Sequence, residues 1–196
     1  RKMITVKING EERQYPQGAT YEDVANDYQQ EYENLIALAA RDGKIRELFK
    51  KLTRDCEVTF FTLKDDVGNK TYVRSATMLF LKAVFDVYGR EAAQSCRVEF
   101  AIGNGSYISP KEKINATEEN AAKIRNRMRE LVEAKTPFLK RSYSLDNAME
   151  LFRKEGMKDK EKLFRYRRGS FVNIYEMDGY YDYYYGYMLP NAGYVK

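Results

Sequence analysis

Two stretches, residues 72–88 and 172–195, carry the side chains that could do chemistry, but the chain lacks the residue on which such chemistry most often depends. The 196 residues contain no histidine, the commonest zinc ligand and the usual base near neutral pH. The sequence therefore excludes Ser-His and Cys-His catalysis. Cys56 and Cys96 are too few for a disulfide framework or a four-thiolate zinc site, so we expect both to be buried free thiols.

Two further features concern phosphate binding. The sequence G-x-x-x-x-G-K-[ST] does not occur, so these residues cannot hold a nucleoside triphosphate as a P-loop does. Residues 153–168 hold eight basic and three acidic side chains, a surplus equal to the net charge of +5 of the whole chain. This basic segment is either a solvated surface stretch or a contact for a polyanion. The candidates for that contact are Arg153, Lys154, Lys158, Lys160, Lys162, Arg165, Arg167 and Arg168.

Residues 1–63 are predicted to form a first, small α+β domain. A run of alternating apolar and polar side chains leads into Asn9-Gly10, a strong hairpin-turn sequence. Thr20 is predicted to begin a helix in a capping box with Asp23. The predicted strands cover residues 3–8, 11–15, 35–40 and 56–62.

Residues 72–196 are predicted to form a second α+β domain, joined to the first by a polar, glycine-containing linker at residues 64–71. Ser75 is predicted to cap a helix to about Tyr88 that has little polar face and must be buried on most sides. We expect it to be the spine of the domain, packed on an antiparallel sheet. Then follow a predicted strand hairpin at residues 97–108 with its turn at Asn104-Gly105, helices capped by Thr117 and Ser144, and strands at 170–175 and 180–187.

This order of elements resembles the TGS domain and the editing domain that follows it in threonyl-tRNA synthetases. The hairpin, the helix opening YEDVA and the late strand before KDD fall where a TGS domain has them. The second part keeps the spacing of a motif like D-x-C-x-G-P-H-x-P-x-x-G at Asp182, Gly186, Pro190 and Gly193. The resemblance covers nearly the whole chain and implies an α+β protein made of a ubiquitin-like β-grasp domain and an editing-like domain.

The same resemblance implies that the editing site is degenerate. In that family the matching residues are histidines and a cysteine that line the cleft where serine mischarged onto threonine tRNA is hydrolysed; here they are Arg74, Met78, Tyr184 and Met188. A guanidinium only donates, a phenol has a pKa of about 10, and a thioether suits zinc hydrolysis poorly. We therefore expect no metal and no catalytic residue. The cleft candidates are Arg74, Met78, Tyr180, Asp182, Tyr184 and Met188.

Two interpretations of that cleft stay open. An arginine beside tyrosine rings suits a phosphate or a nucleobase. The same side chains could equally pack on one another in a domain that has lost its ligand.

The resemblance favours a non-catalytic binding or regulatory module of a longer enzyme. A TGS domain and a degenerate second domain precede the P-loop domain of certain bacterial nucleoside kinases of the uridine kinase type. We therefore expect a downstream kinase domain as partner, with ATP and Mg bound there and no cofactor in this chain. The alternatives are a threonyl-tRNA synthetase-like ligase region without editing activity and a free-standing RNA-binding protein. Whichever holds, the ligand to consider in this chain is a weakly bound RNA or nucleotide. With no membrane-spanning run and no signal-peptide pattern, a cytoplasmic protein is expected.

Overall fold

A computed structural model describes residues 2–102, 117–157 and 170–196 of the chain. Its secondary structure is α+β, as predicted. The chain divides into two compact units. Unit 1 comprises the residues up to Ser75 together with Gly186–Pro190 and Val195, and unit 2 comprises the described residues between Ala76 and Tyr185 together with Asn191–Tyr194 and Lys196.

Unit 1 contains a five-stranded mixed sheet in the order β2-β1-β5-β3-β4. β1 and β5 pair in parallel, whereas the other neighbouring strands are antiparallel. Helix α1 (Tyr21–Tyr28) follows β2 and buries an apolar stripe that contacts β3. The strands are β1 (Met3–Ile8), β2 (Glu11–Pro16), β3 (Ile36–Arg41), β4 (Lys44–Glu47) and β5 (Cys56–Thr62).

The local signals of unit 1 are confirmed, with one omission. Thr20 Oγ1 accepts a hydrogen bond from Asp23 N–H at 3.1 Å, and Asp23 Oδ2 accepts one from Thr20 N–H at 2.9 Å, so the capping box is present. Asn9-Gly10 turns the β1–β2 hairpin with two positive φ angles. A second turn of this kind at Asp42-Gly43 leads into β4. The sequence interpretation missed β4 because Lys-Ile-Arg-Glu is short and mostly charged.

Helix α2 (Asp66–Tyr88) begins well before the predicted cap at Ser75. Most of the predicted linker, residues 64–71, is therefore helical. Asp65 Oδ2 accepts a hydrogen bond from Thr62 N–H at 2.8 Å, which ties the end of β5 to the start of the helix. Ser75 lies inside the helix, and its hydroxyl donates to the Thr71 carbonyl at 2.8 Å. The glycine that suggested a linker, Gly68, lies instead against the Thr62 carbonyl.

The apolar part of α2 is buried, as the sequence predicts, with its innermost residues at 1% exposure or less: Met78, Leu79, Leu81, Ala83 and Val84. Helix α3 (Arg90–Ile102) follows, so the strand predicted from residue 97 is wrong. The few alternating apolar residues of that stretch cannot distinguish strand from helix, and the alanines just before them favour helix. Asn104-Gly105 lies outside the described residues.

The rest of unit 2 consists of α4 (Glu118–Glu133), α5 (Leu145–Lys154) and the antiparallel sheet β6-β7-β8. The side chains of Thr117 and Ser144 cap α4 and α5 as predicted, each accepting a backbone N–H at 3.2 Å. β8 ends at Asp182, so the strand predicted at residues 180–187 is present only in its first part. The strands are β6 (Leu139–Ser144), β7 (Phe171–Met177) and β8 (Tyr180–Asp182).

A core cluster joins α5 to this sheet. Ala148 and Phe152 of α5 are buried with Val172 and Ile174 of β7 and with Tyr183. No helix in the described ranges is both long enough and apolar enough to cross a bilayer.

Candidate functional site

The six cleft candidates belong to both compact units. Arg74 and Met188 belong to unit 1, and Met78, Tyr180, Asp182 and Tyr184 belong to unit 2. The contacts described below each lie within one unit.

Arg74 binds backbone in unit 1. Its Nη1 donates a hydrogen bond to the Tyr187 carbonyl at 2.7 Å. Its guanidinium lies directly against Gly186, where an added Cβ would overlap the central guanidinium carbon. Gly186 also has φ +147°, a conformation that other residues rarely adopt. The glycine of the motif spacing therefore serves the close approach of Arg74.

Two buried side chains accept hydrogen bonds from the backbone at Met188 and at the residue after it. Its backbone N–H donates to Glu47 Oε2 at 2.8 Å, and the next N–H, of Leu189, donates to Ser75 Oγ at 2.9 Å. Glu47 and Ser75 are almost completely buried, with 1% and 0% exposure. These bonds satisfy backbone donors that would otherwise be costly to bury. In unit 1, Arg74, Glu47 and Ser75 thus anchor Gly186–Pro190.

The methionines at two of the four family positions are inaccessible. Met78 and Met188 both have 0% exposure. Thioethers without solvent access cannot bind an incoming metal ion or touch a substrate. Their chemistry here is that of apolar packing.

Asp182 is the centre of a hydrogen-bonded group in unit 2. Its Oδ1 accepts from Arg97 Nε at 2.6 Å and from the Tyr183 N–H at 2.7 Å, and its Oδ2 accepts from the Tyr180 hydroxyl at 2.8 Å. The Asp182 and Arg97 side chains are 1% and 6% exposed. A buried carboxylate with three such donors is compensated in charge, and its interactions orient β8 rather than expose a reactive oxygen.

Tyr180 and Tyr184 differ in their surroundings. Tyr180 is 2% exposed, and its ring packs against Phe85 of α2 with centroids 5.7 Å apart. Tyr184 is only partly buried, and its ring lies 6.5 Å from that of Tyr175. Tyr184 is therefore the more exposed residue of the two, although its hydroxyl oxygen is buried.

Burial raises the pKa of Tyr180 well above its usual value, and the negative charge of Asp182 raises it further. Because the neutral phenol is favoured in the fold, its contribution to stability is complete below a pH of about 10, the ordinary tyrosine pKa, and is lost as pH rises above it. We expect urea unfolding to show the stability difference between the wild type and Tyr180→Phe shrinking by up to about 1.4 kcal/mol per pH unit above that point. Parallel pH profiles for the two proteins would contradict this assignment.

The other candidate residues are only partly covered by the described ranges. Arg153 and Lys154 are exposed at the end of α5, where positive charge complements the helix dipole. Lys158, Lys160, Lys162, Arg165, Arg167 and Arg168 lie outside the described residues. Cys96 is a buried free thiol as predicted, whereas Cys56 is free but only half-buried.

Taken together, the described residues offer structural interactions rather than reactive groups at these positions. Within them, no group of three or more Cys, Asp or Glu side chains is arranged to hold a metal ion. The sequence interpretation missed Arg97, Glu47 and Ser75 as the partners of the motif residues. Only their distant pairing in the fold reveals those roles, since Glu47 and Met188 are 141 positions apart.

The known proteins that this chain resembles are threonine–tRNA ligases. No family model matches the chain. Over 199 residues the chain is 29% identical to a threonine–tRNA ligase of Thermotoga maritima, covering 98% of this chain and 30% of that protein. It is 25% identical over 201 residues to that of Porphyromonas gingivalis, covering 99% and 30%, and 27% identical over 193 residues to that of Maricaulis maris, covering 97% and 30%.

The chain thus spans about 30% of the length of the curated relatives it matches. The predicted similarity to threonyl-tRNA synthetases is confirmed over nearly the whole chain. These relatives favour the ligase alternative and lend no support to a uridine kinase, which stays a prediction.

Proposed function

We propose that this chain is a region of a threonine–tRNA ligase-like protein that keeps the frame of an editing domain without its hydrolytic chemistry. The observation that carries the proposal is the similarity to threonine–tRNA ligases over 98% of the chain in a sequence that contains no histidine. A ligase region that hydrolysed an aminoacyl ester through the family's residues would need imidazole or thiolate groups at the matching positions.

The contacts of those positions support the same proposal. Arg74 donates to a backbone carbonyl at 2.7 Å, and Met78 and Met188 are fully buried. Arg74 and Tyr184 are partly exposed. A guanidinium offers no lone pair, the Tyr184 hydroxyl oxygen is buried, and a phenol is in any case a poor base at neutral pH. None of the four side chains can activate water or hold zinc.

The finer description of the fold belongs to this proposal. Residues 1–63 would be a TGS-like β-grasp domain, which the β1–β2 hairpin, helix α1 and the parallel β1–β5 pair support. Residues 72–196 would be an editing-like domain, which the buried helix α2 and the spacing of Asp182 and Gly186 support.

The proposed role is contact with tRNA. The net charge of +5 favours a polyanionic partner, and residues 153–168 carry the densest positive charge in the sequence. Replacing Arg165, Arg167 and Arg168 with glutamine should reduce the slope of log affinity against log salt for RNA by about 3, since each phosphate contact contributes about one unit.

We expect the purified chain to bind threonine tRNA without hydrolysing seryl-tRNA. The measurement is the decay of radiolabelled seryl ester on threonine tRNA, which should proceed at the same rate with and without the chain because none of the residues at the four family positions can activate water. Plasma mass spectrometry of the same preparation should find no stoichiometric zinc. Mild alkali serves as the positive control for an intact ester.

Two results would overturn the proposal. Ester hydrolysis proportional to the concentration of the chain, or one zinc per chain, would show that an editing chemistry exists. Sequencing the coding DNA on both sides of these residues tests the ligase assignment itself. Class II ligase motifs would support it, and a G-x-x-x-x-G-K-[ST] sequence would restore the kinase interpretation.

A further inference from the structure

Unit 1 carries a second concentration of positive charge, in a cavity of about 440 Å³ beside the β3–β4 hairpin. The cavity is far in sequence from residues 153–168 and from the editing-site positions. We call it the basic pocket. It is lined by Arg41, Arg46, Phe49, Lys50, Lys51 and Thr53.

The β3–β4 register places the two arginines on one face of the sheet. Arg46 pairs with Ala39, and Arg41 lies two positions beyond Ala39 on the same strand. Because side chains alternate along a strand, Ala39, Arg41 and Arg46 point to the same side. Burial raises the pKa of Tyr21, and the charges of Arg41 and Arg46 oppose that rise.

The rest of the basic pocket is formed by residues 49–53. The backbone of this segment and of its neighbour Leu48 is hydrogen-bonded to the start of α1 and to Ala19. Lys50 and Leu48 carbonyls accept hydrogen bonds from Tyr21 and Glu22 N–H at 3.0 and 2.7 Å, and Leu52 N–H donates to the Ala19 carbonyl at 2.7 Å. Leu48 and Leu52 are buried. The chain that presents Phe49, Lys50 and Lys51 is therefore fixed, and an incoming ligand need not order it.

Three of the four cations that line the basic pocket are not paired with a carboxylate of the described residues. Arg41, Arg46 and Lys51 make no ion pair in the part of the chain that the structure describes. Two carboxylates adjacent in sequence are turned elsewhere, since Asp42 Oδ1 accepts from the Glu57 N–H and Glu47 Oε2 from the Met188 N–H. Arg41 Nε is buried and has no acceptor among the described residues.

We propose that the basic pocket binds a nucleotide, with its phosphate groups on Arg41, Arg46, Lys50 and Lys51 and its base against Phe49. Guanidinium groups match phosphate oxygens in pairs, and ammonium groups add point charges. Phe49 is partly exposed and supplies an aromatic face for stacking, with Lys50 Nζ 5.8 Å from its ring centroid. The nucleotide is either free or part of a single-stranded RNA. The inference does not depend on the proposed function.

The test measures binding of three probes to the whole chain by titration calorimetry: ATP, inorganic tripolyphosphate and a short single-stranded RNA. Lys50→Gln/Lys51→Gln should weaken the binding of each probe about tenfold at low salt. For RNA it should also lower the slope of log affinity against log salt by about 2. Phe49→Ala should weaken ATP and RNA but leave tripolyphosphate unchanged, because only the first two carry a base.

The matched control is Lys7→Gln/Lys64→Gln, which removes the same charge from exposed positions outside the basic pocket. It should change the affinity for each probe by less than about twofold, because salt screens distant charges. Binding of ATP identifies a free nucleotide as the ligand, and binding of RNA alone identifies an RNA strand. Equal losses in the two double variants, or no saturable binding of any probe, would overturn the proposal. Neither result alters the seryl-tRNA assay, so the two proposals fail separately.

Discussion

Asp182→Ala should destabilise unit 2 by about 3–5 kcal/mol, the usual cost of leaving one charge of a buried pair without its partner. Arg97 is 6% exposed and Asp182 1%, with 2.6 Å between Arg97 Nε and Asp182 Oδ1. The substitution also removes the acceptor of the Tyr180 hydroxyl and of the Tyr183 N–H. Urea unfolding of the whole chain measures the loss, and hydrogen exchange should locate it in unit 2.

Two further variants separate charge from packing. Asp66→Ala removes a carboxylate of the exposed pair with Lys70, whose side chains are 84% and 67% exposed, and should cost less than about 1 kcal/mol. Arg97→Met in the Asp182→Ala background should recover part of the stability, since it removes the uncompensated cation. A loss for Asp182→Ala no larger than that of Asp66→Ala would show that Asp182 is not the centre of the group.

The elements that the sequence predicts well are those decided by neighbouring residues. The hairpin at Asn9-Gly10 and the capping box at Thr20 each depend on side chains and φ angles within a few positions. The same holds for the caps at Thr117 and Ser144. All the residues that determine such a turn or cap lie within a few positions of one another, so it can be predicted without knowledge of tertiary contacts.

The start of α2 was misjudged although its contact with β5 is local, since Asp65 Oδ2 accepts from the Thr62 N–H three positions away. Residues 64–71 have the composition of a linker, but Asp65 and Gly68 fit against Thr62 at the end of β5. Composition alone cannot show that a glycine permits close packing rather than a flexible turn.

In the candidate site, the partners of the motif residues could not be predicted from the sequence. The motif spacing identified Asp182 and Gly186 as candidates. Their partners are distant in sequence: Arg97 lies 85 positions from Asp182, and Arg74 lies more than a hundred positions from Gly186. The basic pocket was missed for a different reason. Arg41 precedes β4 in the sequence, Arg46 lies within it and Lys51 follows it, and without that strand Arg41 and Lys51 have no reason to be close.

Gly68→Ala should destabilise unit 1 by about 2 kcal/mol, although helix propensity alone predicts the opposite sign. Gly68 lies in the first turns of α2, where alanine is normally favoured over glycine by about 1 kcal/mol. A Cβ at this position, however, would overlap the Thr62 carbonyl oxygen and its carbon. Since both are backbone atoms, the start of α2 must move away from β5. Such overpacking costs about 3 kcal/mol at the upper end of its usual range, which exceeds the gain in propensity by about 2 kcal/mol.

The matched control is Asn69→Ala at the next, exposed position of the same helix. It gains helix propensity of about 0.5 kcal/mol and meets no backbone, so its midpoint in urea should rise slightly while that of Gly68→Ala falls. The Thr62 N–H bond to Asp65 Oδ2 should break in Gly68→Ala, which faster hydrogen exchange at Thr62 would report. If both variants instead gain stability, α2 does not begin against β5, and residues 64–71 behave as the flexible linker that their composition suggests.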